Sequence, residues 1–567
     1  MFKKLFISVF VFILLSISVH AQRELGVRPT DSGGVLMPEQ AAYDVKSYDL
    51  ALSVNPDEQS IKGVLTVTAQ IVKPIDKFVL DLDTPLMVES VALLHPKEDR
   101  KDQLLKFERK EGKIWISFPN LKKSGEAVVV RVSYGGKPRV APRPPWVGGF
   151  VWSKTKDGQP WIATAVQNDG ADLWFPVKDH PSDKPETTSL HFTVPSNLVA
   201  ASNGKLQSVV DNKDGTRTFN WFVSQPISNY CIALNIAPYK LIEDKVKSVS
   251  GEMIPIQFYV LPQDFEKAQS LVDLAKKYNA FFEKYLGPYP FRADKIGIAE
   301  TPHLGMEHQT ITAYGNDFRY NADGDDWLLF HEFGHEWWAN LVTAPDWNDF
   351  WIHEGFESFM DTFYVETTKG KEAYFSAMKN RAKNLRNVKP VAPREAQTTT
   401  QIYMLPPDYI RSDGDIYGKG ALVLHTLRYY IGDDAFFRSL RKMCYADAKA
   451  EKVTNGKQFN FRTTDDFLNI AEKESGKKLA WFFEVYLRQP QLPKLVTETK
   501  SNELVLHWET PNNLPFPMPV EVKINGEIKR VEMKDGKGSL PLAQDAKVEV
   551  DPNGWVLKNT VIFTAEI

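Results

Sequence analysis

Apolar and polar positions alternate one for one along residues 48–54, 63–69 and 128–134, and again at 191–194. A period of two marks strands with one face buried. Clusters of Gly, Pro, Asn and Asp separate these runs, and Asn212-Lys213-Asp214-Gly215 is a hairpin signal. No helical period interrupts residues 43–238, so many short strands predict an all-β domain. After residue 242 the period changes. Phe265, Ala268, Leu271, Leu274, Ala275, Tyr278, Phe281 and Phe282 share one helical face, predicting a helix over 264–285 that Gly287 and Pro288 stop. Residues 295–299 read as a short buried strand. Helical text then runs to residue 487, with Thr464 as an expected cap. From residue 490 the strand pattern returns at 504–508, 520–524 and 548–552, as a small β-sandwich. The expected fold is multidomain α+β: an N-terminal β domain over 22–243, a mostly helical domain over 244–490 and a C-terminal β-sandwich over 491–567.

The first 21 residues stand apart. Lys3 and Lys4 precede an apolar run over 5–19, and small residues at Val19 and Ala21 suit cleavage before Gln22. This is the pattern of a signal peptide, and the run is short for a membrane span. The expectation is an exported protein, periplasmic or extracellular, with no stable membrane anchor after cleavage. A formal net charge of −3 over 567 residues carries no electrostatic footprint for nucleic acid. Two cysteines, Cys231 and Cys444, exclude a disulfide framework and leave open a single bridge or two buried thiols.

The chemistry concentrates between Asp326 and Glu354. His331-Glu332-Phe333-Gly334-His335 puts two imidazoles four residues apart, one above the other on a helix. Glu354 follows His335 after a gap of eighteen residues. Two His and one carboxylate leave a position open on tetrahedral zinc, the mark of a catalytic site. Glu332 stands beside the ion, placed to take a proton from a water there. Trp327, Leu328, Leu329 and Phe330 precede the motif, and Trp337, Trp338 and Leu341 follow, which predicts a deeply buried helix over the whole stretch. Burying these His and Glu side chains without partners costs several kcal/mol, and a metal removes that cost. Asp361 lies seven residues beyond Glu354 on the same helical face, where it could accept the second ring proton of a ligand His or stand on the surface.

The run from His331 to Thr343, followed by Trp351-Ile352-His353-Glu354-Gly355-Phe356, resembles the zinc aminopeptidases of family M1, related to aminopeptidase N and leukotriene hydrolase. The resemblance implies a thermolysin-like catalytic domain, one zinc ion on His331, His335 and Glu354, and Glu332 as general base. Leu304-Gly305-Met306-Glu307-His308 resembles the family's G-x-M-E-N. It implies that Glu307 holds the free α-amine of a peptide and that Gly305 and Met306 run beside the substrate. Ile416-Tyr417-Gly418-Lys419-Gly420 resembles the family's Y-x-K-G and implies Tyr417 as oxyanion donor. Ala165-Val166-Gln167-Asn168-Asp169 resembles its T-Q-x-E, which would put Gln167 and Asp169 on the amine; Asn168-Asp169-Gly170 is also a turn sequence in its own right. The chain departs from the family at His353 and Glu357, which bears on pocket shape, and at His308, which bears on that position alone. Many relatives add a large helical domain, so the resemblance is to a short form with a more open cleft. The reading is an exported zinc aminopeptidase acting on peptides with a free N-terminus. The alternatives are a zinc endopeptidase or other zinc hydrolase on the same scaffold, and a non-catalytic binding protein.

Overall fold

The computed structural model describes residues 31–95, 101–409, 411–500 and 502–563; the expected leader at 1–21 lies outside them. Strands Tyr43–Asn55 and Ser60–Ile71 pair antiparallel with Leu50 opposite Leu65, at the centre of an eight-stranded sheet. Their alternating pattern puts Leu50, Leu52, Leu65 and Val67 inside. The hairpin signal at 212–215 joins strands Lys205–Asp211 and Thr216–Val223, with Lys213 and Gly215 at positive φ. A four-stranded sheet contains Pro160–Ala165, which runs into a turn at 166–170 facing the helical region.

Strand Lys240–Lys247 pairs with Met253–Val260, so the chain enters a five-stranded sheet at Lys240. That sheet continues through Ile296–Glu300 and Thr312–Tyr314 and ends on the edge strand Gly305–Met306. Six helices serve the site: α1 Phe265–Leu286, α2 Trp327–Gly334, α3 Trp351–Lys369, α4 Lys371–Ala382, α5 Thr399–Tyr403 and α6 Asp415–Ile431. Aromatic residues lock α1 to α2: Phe282 lies 4.9 Å from the Phe330 ring and 5.2 Å from Trp337. Truncating such a residue costs about 3–5 kcal/mol. Helices α3 and α6 cross backbone to backbone, because a Cβ on Gly355 would lie 3.0 Å from the Gly420 Cα. These two glycines bring Glu354 and Tyr417 to the same cleft.

After α6 the helical region contains a helix over Thr464–Ser475, capped by Thr463 rather than Thr464. Thr464 is diverted into the core, where its hydroxyl bonds Asp349 and accepts from the Trp351 indole. Two sheets follow, one of four strands and one of three, as the expected sandwich. They dock on the back of α6, where Trp555 stacks on His425 at 4.7 Å and Leu557 N donates to Thr426 Oγ1 at 3.0 Å. Cys231 and Cys444 are both buried and free. Among the described residues no helix is long and apolar enough to cross a membrane.

Candidate metal centre and active-site cleft

Asp326 caps α2, its Oδ1 accepting from Leu329 N at 2.9 Å while Oδ2 accepts from Tyr314 and Asn316. The helix is shorter than its apolar pattern predicts. It ends at Gly334, and His335 is its C-cap. Beyond it the chain winds more widely, with Asn340 N, Leu341 N and Val342 N each bonding the carbonyl five residues back. This wider winding, broken at Ala339 with φ 137°, leaves the Trp338 carbonyl for a side chain to take. His335 Nδ1 takes that carbonyl at 2.7 Å.

The expected ligands converge. His331 Nε2 and His335 Nε2 are 3.3 Å apart, and Glu354 Oε2 lies 3.7 and 3.4 Å from them. Zinc with bonds of about 2.0–2.1 Å spaces tetrahedral ligands about 3.3–3.4 Å apart, so the triangle has the size the ion needs. The tautomers fit as well. His335 Nδ1 faces a carbonyl and His331 Nδ1 faces Asp361 Oδ2 at 3.2 Å; both partners only accept, so both Nδ1 atoms carry the proton. That leaves a lone pair on each Nε2, pointing at a carboxylate oxygen that is buried with no hydrogen bond of its own among the described residues. Three lone pairs at these distances call for a cation. The same crowding draws protons. Burial opposes a charge on His335, yet Glu354 lifts it to about 9. Burial likewise opposes a charge on Glu354, but His335 and His331 hold it well below the usual carboxylate range.

Asp361 sits where the helix-face argument puts it. Arg381 Nη2 bonds its Oδ2 at 3.2 Å, and Arg381 Nε reaches Thr362 at 2.7 Å. A guanidinium from α4 thus holds the carboxylate that holds His331.

Glu332 opens onto a cavity of about 170 Å³, walled among others by Trp146, Asn168, Met306, Trp327, Tyr403 and Tyr417. Burial raises Glu332 to about 8, with Glu307 and Glu354 adding to it and His331 opposing. A cation on the neighbouring triangle pulls this carboxyl back down. A Cβ on Gly305 would lie 2.7 Å from Glu332 Oε1 and 2.6 Å from Leu328 Cδ1, so a larger residue here would displace the Glu332 carboxyl or Leu328. As edge strand, Gly305–Met306 also leaves backbone groups facing the cleft.

Glu307 is 3 % exposed and lines the same cavity. Gln167 Nε2 and Tyr230 Oη both donate to its Oε1, Tyr230 at 2.9 Å. Neither of these bonds uses Oε2. Burial raises the Glu307 carboxyl, and Glu354 adds to that. Asp169 is a correction. Its Oδ2 accepts from Gly148 N at 2.6 Å and it does not line the cavity. The 166–170 turn, closed by Gly170 N on the Val166 carbonyl, folds it back and presents Asn168 instead.

The departures from the family pattern do not line the cavity, although the Glu357 carboxylate lies within 4.8 Å of His331 and Asp361. His353 is fully buried, with Nε2 accepting from Ala344 N at 3.0 Å, and burial pushes it down to about 3. His308 is buried with neither ring nitrogen partnered among the described residues. Glu357 packs its carboxyl on Gly334, and burial raises it well above the usual range.

Sequence reasoning missed Tyr230, Tyr403 and Arg381. Tyr403 had a signal. Thr398 to Gln401 reads T-x-x-Q, and the structure forms that capping box at the start of α5, which ends on Tyr403. Tyr230 and Arg381 reach the site only through tertiary folding.

Residues 45–231 match the Peptidase M1 N-terminal domain and residues 271–486 the Peptidase family M1 domain. The chain is 23 % identical over 511 residues to "Probable aminopeptidase 2" of Sulfurisphaera tokodaii, covering 86 % of this chain and 61 % of that protein. It is 28 % identical over 331 residues to endoplasmic reticulum aminopeptidase 1 of Mus musculus, covering 54 % of this chain and 34 % of the relative. The chain thus spans about half the length of the curated relatives it matches. An M1 zinc metallopeptidase of Deinococcus radiodurans, solved as a point mutant bound to a Tyr-Ser-Ala substrate, has the same fold. The TM-score is 0.61 at 23 % identity, over 80 % of this chain and 95 % of that chain.

Proposed function

Because the chain belongs to peptidase family M1, we propose that it is a zinc-dependent aminopeptidase that removes N-terminal residues from peptides. The observation that carries this reading is the placement of Glu307, a buried carboxylate in the cavity that also holds His331, His335, Glu354 and Glu332. An α-ammonium is the group such a carboxylate recognises, through a charge-assisted bond to Oε2. Gln167 and Tyr230 fix Oε1 and so aim the other oxygen. Gly305 and Met306 offer edge backbone to the first peptide unit, as in strand addition.

His331, His335 and Glu354 hold the zinc, which when bound polarises a carbonyl and acidifies a water. Glu332 takes the proton of the attacking water and returns it to the leaving amine. Tyr417, on the cleft side of α6, donates its hydroxyl proton to the developing oxyanion. Asp361 and Trp338 keep both imidazoles in the Nε2-ligand tautomer.

We further propose that residues 1–21 are removed on export; the motivation is the charged start and the apolar run, and N-terminal sequencing of secreted material should begin at Gln22. If it begins at Met1, the leader reading fails.

The zinc assignment is tested by metal analysis of purified protein against the Asp361→Asn variant. The wild type is expected to carry zinc, to lose turnover in chelator and to regain it with added zinc. The variant, whose amide can present its N–H side to His331 Nδ1, is expected to hold zinc about 10- to 100-fold more weakly. Equal affinities would remove Asp361 from the site, and full turnover of metal-free protein would remove zinc.

A further inference from the structure

The Tyr417 hydroxyl is in contact with a second phenol, Tyr403 Oη, across the cleft wall. We propose that Tyr403 is a positioning residue for the oxyanion donor: its hydroxyl donates to the Tyr417 oxygen and so commits the single Tyr417 proton to the substrate. This rests on the reading of Tyr417 given above.

The argument is one of donor counting. A phenol has one proton to give and two lone pairs to receive with. In the Tyr403–Tyr417 contact one of the two must donate. If Tyr417 gives its proton to Tyr403, it has none for the oxyanion. When the oxyanion forms, Tyr403 must therefore be the donor and Tyr417 the relay. A hydroxyl that accepts one bond also becomes a better donor in the next. The two rings stand edge to face at 6.1 Å and 87°, which aims one hydroxyl at the other rather than stacking the rings. The Tyr417 ring lies 6.3 Å from the ring of His331, and both phenols line the same cavity.

The fold spends considerable structure on Tyr403. It ends α5, a helix of only five residues, far too short to stand by itself. Both ends are pinned. Thr398 and Gln401 form the capping box at the start. At the other end the Lys389 ammonium bonds the carbonyls of Gln401, Ile402 and Met404 at 2.7, 2.5 and 2.7 Å. The ring lies 5.8 Å from Phe350, the N-cap of α3, and the Tyr403 carbonyl accepts from Asp413 N at 2.8 Å. The hydroxyl is thus tied to the helix that carries Glu354 and to the segment leading into α6.

The test is a double-mutant cycle in Tyr403→Phe and Tyr417→Phe, read as kcat and KM on an aminoacyl nitroanilide. Removing one oxyanion donor lowers kcat about 100-fold, so Tyr417→Phe is expected near that value. Tyr403→Phe is expected to lower kcat about tenfold with KM within about twofold, and to change nothing further in the Tyr417→Phe background. A second readout avoids turnover. Calorimetric affinity for a phosphinic pseudodipeptide, which carries anionic oxygens in tetrahedral array, should fall about tenfold in Tyr403→Phe while the product amino acid binds as before. An equal loss in both backgrounds would make Tyr403 a packing residue and overturn the inference, as would no loss in either. A larger loss from Tyr403→Phe than from Tyr417→Phe would reverse the roles and overturn it too. If Tyr417→Phe alone is fully active, the oxyanion reading itself has failed and this inference falls with it.

Discussion

Glu332→Gln is expected to fold and bind zinc like the wild type while kcat falls by about 10³- to 10⁴-fold. The amide matches the carboxylate in shape, which matters because the side chain lies against the Gly305 backbone with little room. What the amide lacks is the capacity to accept a proton from water and hand it on. His331, His335 and Glu354 are untouched, so metal analysis separates a lost base from a lost site. Single-turnover rates on an aminoacyl nitroanilide supply the number. A variant within about tenfold of the wild type would sink Glu332 as the base.

Glu307→Gln is the second large effect. The carboxylate is buried, and on the proposed reading its partner is a protonated amine that must leave water to reach it. Losing one member of a buried, hydrogen-bonded charge pair costs about 2–4 kcal/mol, or about 30- to 900-fold in kcat/KM. Both constants should move, KM upward through lost binding and kcat downward because the carbonyl is no longer registered against the base. The amide still accepts from Tyr230, so the cavity wall should survive. Unchanged kinetics would take Glu307 out of the amine site and leave the zinc chemistry without its N-terminal register.

Much of the site is legible in the sequence because helical periodicity is a strong constraint. His331 and His335 share a face by spacing alone, Asp361 follows Glu354 by the same rule, and the structure gathers His331, His335 and Glu354 around one point with Asp361 on the other ring nitrogen of His331. The β regions are legible for a similar reason, since strands with one buried face must alternate. What resists reading is whatever tertiary contact decides. Ala339 adopts φ 137° and the winding after Gly334 widens, although Trp337, Trp338 and Leu341 suit an α-helix equally well. Their apolar spacing reports burial, not the hydrogen-bond ladder. At residues 166–170 turn geometry overrides the motif: a shift of one position exchanges Asp169 for Asn168 at the cavity. His353 reads as a pocket residue, but the direction of a side chain at the end of an element is set by its neighbours. Tyr403 lies at the end of a five-residue helix whose last carbonyls Lys389 closes. No local pattern contains Lys389.

The central claim is that this cleft selects for a free N-terminus. The most direct test incubates one mixed-sequence peptide with the purified enzyme, its N-terminus either free or acetylated, and follows both by mass spectrometry. Acetylation removes the positive charge proposed to be recognised by Glu307 and leaves every peptide bond intact. The account expects stepwise loss of residues from the free form and an untouched acetylated form. Cleavage of both forms at internal bonds would contradict it, leaving zinc hydrolysis in place and Glu307 without its role.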